Sequence, residues 1–188
     1  MNDSLVNLPL TINTIGNNIV KTIDYNNVVK TYLVNINETS QGTKLYDSLT
    51  DAKINSYKVN DKVVAIFNKD LDYKLYLDGN KYSNTLIDYY GYHKITISGV
   101  NYSHDYFVYI ELDTNISDGA RYSEQVRINA NANIYVDGEE VNNNYLINAV
   151  GNHSIKFEGL NASEVFDITV SEIVMGIENN AVYKNERS

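Results

Sequence analysis

Part of this chain is repeated within itself, and the repeat constrains the fold more than any other feature of the sequence. Residues 73–79, YKLYLDG, return as ANIYVDG at residues 132–138, a shift of 59 positions. Residues 91–103 then return as residues 151–163 at a shift of 60. Self-similarity at a fixed period indicates one structural unit built twice.

The repeated segments alternate apolar and polar residues, which is typical of β-strands with one buried face. The matched apolar residues of the last strand are Tyr106, Val108 and Ile110 in the first copy and Phe166, Ile168 and Val170 in the second. Composition agrees, since the chain has 17 Tyr and 28 Asn but one Pro and no Trp. Tyr favours strands, whereas Asn favours turns and is poor in helices. The sequence therefore predicts an all-β fold.

Short apolar runs separated by Gly, Asn and Asp predict the same order of strands in both copies, as in β-sandwiches. In the first copy the strands are placed at residues 63–67, 74–77, 86–87, 93–98 and 106–112. In the second copy they are placed at residues 126–128, 133–136, 146–147, 153–157 and 166–170. Helical periodicity is weak throughout. Asp78-Gly79 and Asp137-Gly138 stand where a tight hairpin needs positive φ, and we interpret them as turn formers only.

The repeat divides the chain into four segments. Residues 1–50 lack it but contain strand-like stretches, so they are either early strands of the first sandwich or an arm that attaches to another chain. Residues 51–113 and 114–174 are the two repeat domains. Residues 175–188 form the last segment; within it, residues 177–184 echo residues 116–123, and we expect a strand or tail that resembles the start of a third repeat.

The repeated motif is similar to one known family. Tyr-apolar-Asp-Gly at residues 76–79 and 135–138 is followed by Gly-x-His-x-Ile at 91–95 and 151–155, then by Gly-apolar-Asn at 99–101 and 159–161. This pattern resembles the bacterial-type immunoglobulin-like repeats of cell-surface proteins and tailed-phage virions, over roughly residues 54–174. The resemblance implies tandem immunoglobulin-like β-sandwiches. Members of such families serve as spacers, adhesive modules or capsid decorations, so the resemblance implies no single function.

Charge and cysteine content exclude several classes of function. The chain has a net charge of −9 and only 15 Lys and Arg, so it is predicted not to bind nucleic acid or an anionic membrane surface, which are themselves negatively charged. The absence of Cys excludes disulfides, thiolate nucleophiles and Cys-based metal sites. The longest apolar run is five residues, 63–67, whereas a membrane span needs about 20. No export signal is visible after Met1.

No motif in the sequence points to catalysis. The usual nucleophile, phosphate-loop and zinc motifs do not occur, so we expect no enzyme and assign no catalytic, cofactor-binding or metal-binding residue. The carboxylate pairs Asp70 with Asp72 and Glu139 with Glu140 are attributed to the abundance of acids. Residues 113–119 carry alternating oxygen side chains that would suit a calcium clip, but they lack the bidentate Glu of an EF-hand, and we predict a turn.

Histidine and tyrosine residues are interpreted as structural. His93 and His153 occupy the same place in both copies, and we expect a ring nitrogen of each to bond a loop carbonyl. Nearby acids such as Asp88 and Glu158 recur at no shared position, and His104 is assigned to a solvated loop. The first copy is crowded with Tyr82, Tyr89, Tyr90, Tyr92, Tyr102, Tyr106 and Tyr109. These rings either fill the sheet, which we favour, or are exposed for protein contacts or sugar stacking.

Two hypotheses for function follow. In the first, the chain is a structural virion protein, such as a capsid decoration or fibre-associated protein of a phage. Its residues 1–50 then attach to capsid or other virion proteins. In the alternative, it is a fragment of a bacterial cell-surface adhesin or stalk with weak binding to surface glycans. Homo-oligomerisation is compatible with both.

Overall fold

The structure is almost entirely β, which confirms the predicted all-β class. The computed structural model describes residue 12 and residues 16–36, 43–65, 73–83, 85–99 and 102–172. Within these ranges it contains one short α-helix, α1 (Leu49–Ile54), and one 3-10 turn, Val59–Asp61. The predicted strand end at residues 66–67 and the segment 175–188 lie outside the described residues, as do Asp70 and Asp72.

Thirteen strands are described. In chain order they are β1 (Gly16–Ile23), β2 (Val29–Ile36), β3 (Lys74–Leu77), β4 (Asn80–Lys81), β5 (Gly91–Gly99), β6 (Tyr102–Ile110), β7 (Arg121–Tyr122), β8 (Val126–Ile128), β9 (Asn133–Val136), β10 (Glu139–Val141), β11 (Tyr145–Ile147), β12 (Gly151–Gly159) and β13 (Ala162–Val170). They form sheets of order β1-β2, β4-β3-β5-β6, β10-β9-β12-β13-β7 and β11-β8. The β13–β7 pair is parallel, whereas the β5–β6 pair is antiparallel over nine residues of each strand.

The chain divides into two compact units. Unit 1 comprises Met1–Asp113 together with Glu158–Ser163, and unit 2 comprises Thr114–Phe157 and Glu164–Ser188. The strands predicted at residues 74–77, 126–128 and 133–136 coincide with β3, β8 and β9. Those predicted at 93–98 and 153–157 lie within β5 and β12, which are each nine residues long.

The core of unit 1 lies on one face of β5 and β6. Ile95 and Ile97 of β5 are fully buried, as are Val108 and Ile110 of β6. The two strands pair over their whole length, so these alternating side chains share one face. Leu45, Val63, Ala65 and Ile87 belong to the same buried cluster.

The helix α1, which the sequence did not predict, contacts β6. Ser48 caps its N-terminus by accepting a hydrogen bond from the backbone N–H of Asp51, and this side-chain cap satisfies a donor that the helix leaves unpaired. Ala52 is fully buried and Tyr109 of β6 is 2 % exposed. The Lys53 ammonium lies 3.5 Å from the centre of the Tyr109 ring. The helix is therefore stabilised by packing, since six residues are too few for a helix to form on its own.

Two predicted strands are wrong. The structure has no strand at residues 63–65, the described part of the strand predicted at 63–67, and none at residues 86–87. Val63 and Ile87 share one backbone hydrogen bond of 2.9 Å, but no ladder continues from it. The N–H of Ala65 instead donates to the hydroxyl of Tyr82, at 3.0 Å. In unit 2 the corresponding pairing is complete, with three residue pairs between β8 and β11.

We expect Tyr82→Phe to destabilise unit 1 by about 1–3 kcal/mol, because it leaves the buried N–H of Ala65 without an acceptor. The Tyr82 hydroxyl also donates to the carbonyl of Thr85 at 2.8 Å, so two loop segments lose the same bridge. Urea unfolding of the variant measures the change. Tyr76→Phe is the control, because Tyr76 lies on β3 next to Leu75, whose carbonyl accepts the N–H of Tyr82. Equal stability of Tyr82→Phe and the parent chain would contradict this role.

Candidate protein-interaction site

The N-terminal described segment is a long β-hairpin, Gly16–Ile36, which we call the arm. Its strands β1 and β2 pair in one antiparallel ladder that runs from Gly16 opposite Ile36 to Ile23 opposite Val29. The expected early strands therefore exist. They pair with each other in a two-stranded sheet of their own and join none of the other described sheets.

The base of the arm is fixed to unit 1. Ile19 and Leu33 lie opposite each other, so their side chains share one face of the hairpin. Both pack against the buried cluster of unit 1 that includes Ile95 and Val108. A hairpin by itself is marginal in water, and this contact supplies the burial that the arm needs.

The turn at the tip of the arm is held by its own hydrogen bonds. The Oδ1 atom of Asp24 accepts the backbone N–H groups of Asn26 and Val28, each at 2.9 Å. The N–H of Asn27 donates to the carbonyl of Asp24 at 3.0 Å, and Asn27 has φ of 61°. Asn tolerates this left-handed conformation, and Asp bonds the backbone of a turn through its side chain. The tip therefore presents Tyr25 from a defined turn.

The tip carries a cluster of exposed apolar side chains. Twelve large apolar side chains of the described residues are exposed, and five of them lie within residues 23–32. They are Ile23, Tyr25, Val28, Val29 and Tyr32. Tyr25 is 94 % exposed, and Ile23 and Val29 are cross-strand partners at the end of the ladder. Ile23 and Val29 lie on one face of the ladder, and Tyr32, opposite Val20, lies on the other. Single apolar residues are normal on a protein surface, but a concentration of them at one hairpin tip is typical of an interaction surface.

The arm has the chemistry of a protein-binding element. Tyrosine combines a large apolar ring with a polar hydroxyl and is enriched at protein interfaces. The sheet β1-β2 also leaves its outer strand edges unpaired by any other described strand, and unpaired edges accept a further strand. The surface thus combines exposed apolar side chains with backbone hydrogen-bonding groups.

His93 and His153 are held as the sequence predicted, each by a loop carbonyl. Nε2 of His93 lies 2.8 Å from the carbonyl oxygen of Tyr89, and Nε2 of His153 lies 2.9 Å from that of Ala149. The two histidines therefore fix the loops that precede β5 and β12. His104 lies on β6 with Nε2 2.8 Å from Oδ1 of Asp47, so its assignment to a loop is wrong.

The interpretation of the Asp-Gly pairs as turn formers only is also wrong. Asp78 and Asp137 do adopt positive φ, 50° and 51°, in the β3–β4 and β9–β10 turns. In addition, Oδ2 of Asp78 lies 2.7 Å from Nδ1 of His93, and Oδ1 accepts the N–H of Lys94 at 2.8 Å. Each turn is thus tied to the strand beside it through one carboxylate.

The second copy repeats these contacts. Oδ2 of Asp137 lies 2.7 Å from Nδ1 of His153, and Oδ1 accepts the N–H of Ser154 at 2.9 Å. Acids do therefore recur at a shared position. Asp78 and Asp137 lie 15 and 16 residues before their histidines, so closeness along the chain does not indicate either pair. The recurring Asp, Gly and His were the signal that would have found the pair.

The His153–Asp137 pair predicts a pH optimum for the stability of unit 2. The hydrogen bond to Asp137 raises the pKa of His153 above its usual value near 6.5, and the reciprocal bond lowers the pKa of Asp137 below 3.8. The stabilisation is therefore complete between about pH 4 and 6.5, and it is lost as pH rises through the raised His pKa or falls through the lowered Asp pKa. Thermal unfolding of the chain across this range measures it. Asp137→Asn should flatten the profile, and an unchanged profile would contradict the assignment.

Most of the tyrosines of the first copy fill the fold. Tyr82, Tyr90, Tyr106 and Tyr109 are buried, in agreement with the favoured interpretation. The hydroxyl of Tyr89, which is 36 % exposed, donates to the carbonyl of Glu158 at 3.0 Å. Among the side chains that the structure describes, the most exposed tyrosines lie elsewhere, and the sequence did not single them out. They are Tyr25, Tyr32 and Tyr145.

The other acidic candidates are not brought together. Glu139 and Glu140 are neighbours on β10, so they point to opposite faces of the strand. In the proposed calcium clip, Asn115 bonds the carbonyl of Arg127 and the N–H of Asn129, whereas Asp118 accepts the N–H of Asp167. These bonds support the turn interpretation. Among the residues that the structure describes, no group of three or more His, Asp or Glu could hold a metal ion.

Comparisons with known proteins place the chain in no family. No family model matches it, and no curated protein matches it. None of the helices in the described ranges is long and apolar enough to cross a membrane.

Proposed function

We propose that this chain is a non-enzymatic structural protein, a phage virion accessory protein that attaches to a protein partner through its arm. In this role it is a capsid decoration or fibre-associated protein, and the partner is a capsid or other virion protein. The observation that carries the proposal is the arm itself. It is anchored at Ile19 and Leu33 and presents five exposed apolar side chains around an ordered turn.

The energetics of the arm support this attachment. An exposed Ile or Val side chain gains about 1.5–3 kcal/mol when it is fully buried, so burial of the tip would contribute to the affinity of an interface. The base already contacts the core of unit 1, and the turn is held by Asp24, so little order has to be gained on binding. A preformed apolar hairpin is therefore suited to insertion into a groove or to strand addition at a sheet edge.

We also propose that the two repeats are immunoglobulin-like sandwiches. Support comes from unit 2, where a two-stranded sheet, β11-β8, accompanies a larger sheet that contains β9, β12 and β13. Ile128 and Ile147 of the small sheet are buried, and so are Ile155 and Phe157 of β12. Inward-facing apolar residues on two sheets are the hallmark of a sandwich core. Such a fold suits a spacer or decoration.

The alternative is a piece of a bacterial cell-surface adhesin or stalk. The sequence echo at residues 177–184 favours it, because this echo resembles the start of a further repeat. Exposed Tyr25 would then suit stacking on a surface glycan.

Fractionation of the source cells tests both. Virus-like particles, cell wall and soluble protein are separated, and peptides of this chain are quantified in each. The virion hypothesis expects the chain in purified particles at a fixed ratio to the major capsid protein. The alternative expects it in the cell wall within a longer polypeptide. Recovery only as soluble protein contradicts both.

The role of the arm in attachment is tested on the same purified particles. Tyr25→Ser is expected to lower the amount of the chain on particles at least tenfold, a change that corresponds to about 1.4 kcal/mol of binding free energy. Tyr145→Ser is the matched control, because Tyr145 is an exposed tyrosine on β11 outside the arm. Equal losses for the two variants would show that the arm does not mediate attachment to the particle.

A further inference from the structure

The larger sheets of the two repeats end in short edge strands that carry opposite charges. β4 is the last strand of the sheet β4-β3-β5-β6, and β10 is the last strand of the sheet β10-β9-β12-β13-β7. Each strand follows a two-residue Asp-Gly turn. Lys81 of β4 lies opposite Tyr76 of β3. Glu140 of β10 lies opposite Tyr135 of β9. The same place in the repeat is therefore cationic in unit 1 and anionic in unit 2.

The backbone of both charged residues faces the open edge of its sheet. Residues opposite each other in an antiparallel pair alternate between exchanging two hydrogen bonds and exchanging none. The N–H of Tyr82 donates to the carbonyl of Leu75 at 2.9 Å. The neighbouring pair, Lys81 with Tyr76, therefore exchanges none. Glu140 has the same position after its own turn, so both residues direct their N–H and carbonyl groups away from their sheets.

Both side chains are available to a partner. Lys81 and Glu140 are exposed, and neither takes part in the ion pairs that join the described residues. In unit 1 the opposite end of the sheet is already covered, because β6 forms bridges to Tyr46 and Tyr57. The β4 end has no further strand among the described residues.

We infer that β4 of one copy of this chain pairs with β10 of a second copy in an antiparallel ladder. Lys81 of one copy and Glu140 of the other exchange two backbone hydrogen bonds, and their side chains lie on the same face as a cross-strand ion pair. Tyr76 lies beside Lys81 on that face, and Tyr135 lies beside Glu140. The ion pair is thus flanked by two half-buried rings.

Charge selects this pairing over the two symmetric ones. Two β4 strands would place Lys81 against Lys81, and two β10 strands would place Glu140 against Glu140. Like charges directly opposite each other destabilise a strand pair, which is why charged edge strands commonly keep sheets apart. The opposite signs of the two edges make the mixed pair favourable instead. Because it joins two different surfaces, copies associate head to tail rather than as a symmetric dimer.

The contact is small, because β4 has two residues and β10 has three. It buries far less than the roughly 1,200–2,000 Å² of a stable interface, so the affinity between free copies is weak. It gains strength when many copies are held side by side on one surface. The contact uses no residue of the arm, so the inference goes beyond the proposed attachment and does not depend on it.

Amide spectra of the isotope-labelled full chain, recorded from micromolar to millimolar concentration, test the inference. We expect concentration-dependent shifts at Lys81 and Glu140, because both N–H groups gain a hydrogen bond. Lys81→Glu should weaken the association at least about fivefold, because it replaces an attractive pair by a repulsive one. Lys74→Glu is the matched control, since Lys74 is an exposed lysine on β3, away from the edge. Spectra that do not change with concentration, shifts confined to other residues, or equal effects of the two variants would overturn the inference.

A mixing experiment tests the charge pairing itself. Lys81→Glu chain carries two acidic edges and Glu140→Lys chain carries two basic ones, so each alone should associate more weakly than the parent chain. A general charge effect predicts the opposite for Glu140→Lys, because this variant is less acidic than the parent chain with its net charge of −9. An equimolar mixture should regain the parent affinity, because β4 of each variant meets a β10 of opposite charge in the other. A mixture that associates no more strongly than the separate variants would overturn the inference.

Discussion

Gly91→Ala is expected to destabilise unit 1 by about 3–5 kcal/mol. Alanine is strained at φ of +115°, which costs about 1–3 kcal/mol. Its Cβ would also lie 2.2 Å from a backbone oxygen, that of Leu160, and overpacking against a rigid neighbour adds about 1–3 kcal/mol. The backbone hydrogen bonds between Tyr92, Leu160 and Tyr90 hold that neighbour in place, so it cannot move away cheaply. Urea unfolding, followed through amide signals of each unit, measures the loss.

Gly151→Ala is the matched control for this prediction. It has the same unfavourable backbone, with φ of +143°, but no described atom lies within 4 Å of its Cβ position. It should therefore show the cost of strain without the cost of the clash, and we expect a loss at least about 1 kcal/mol smaller. Equal losses would mean that the contact with Leu160 contributes nothing.

Asp78→Ala is expected to cost unit 1 about 2–4 kcal/mol. It removes the carboxylate that lies 2.7 Å from Nδ1 of His93, whose side chain is only 6 % exposed, and a buried polar group that loses its hydrogen-bond partner is costly. It also removes the acceptor of the Lys94 N–H and places alanine at φ of 50°, where Asp is tolerated better. Thermal and urea unfolding of the full chain measure the change.

Two variants separate these causes. Asp78→Asn keeps one acceptor oxygen for the N–H of Lys94 and tolerates positive φ, but it presents an NH2 group to Nδ1 of His93. It therefore reports the loss of the carboxylate contact to His93 and should cost less than Asp78→Ala. Asp137→Ala removes the equivalent group in unit 2, where the Asp137 side chain is 50 % exposed against 25 % for Asp78. Water replaces part of the lost interaction there, so a smaller loss is expected. A larger loss for Asp137→Ala would contradict this account.

The strands could be predicted where burial alternates along the chain. Ile95 and Ile97 on β5, and Ile155 and Phe157 on β12, are buried at every second position, and this periodicity is visible in the sequence. The failures have other causes. Helix α1 is short and depends on Tyr109, a residue about 55 positions away, and the segment at Val63 loses its ladder because Ala65 bonds the Tyr82 side chain. Neither contact leaves a local periodic signal.

The candidate site was predicted in outline only. The sequence indicated a distinct β segment in residues 1–50 and left open whether it belongs to the first domain or forms an arm. The structure describes a hairpin whose base packs on unit 1 through Leu33 while its tip exposes Tyr25. The run 32–34 reads as a buried strand, so exposure of Tyr32 could not be predicted. Exposure depends on which elements pack against a strand, and periodicity does not report that.

Hydrogen–deuterium exchange of the arm tests the central proposal most directly. The amides of residues 21–32 are compared between the free chain and the chain bound on purified particles, with β11 as an internal reference. We expect the arm amides to exchange at least tenfold more slowly in the bound state, while those of β11 are unchanged. Equal exchange of residues 21–32 in both states would show that the arm does not contact the partner and would contradict the account.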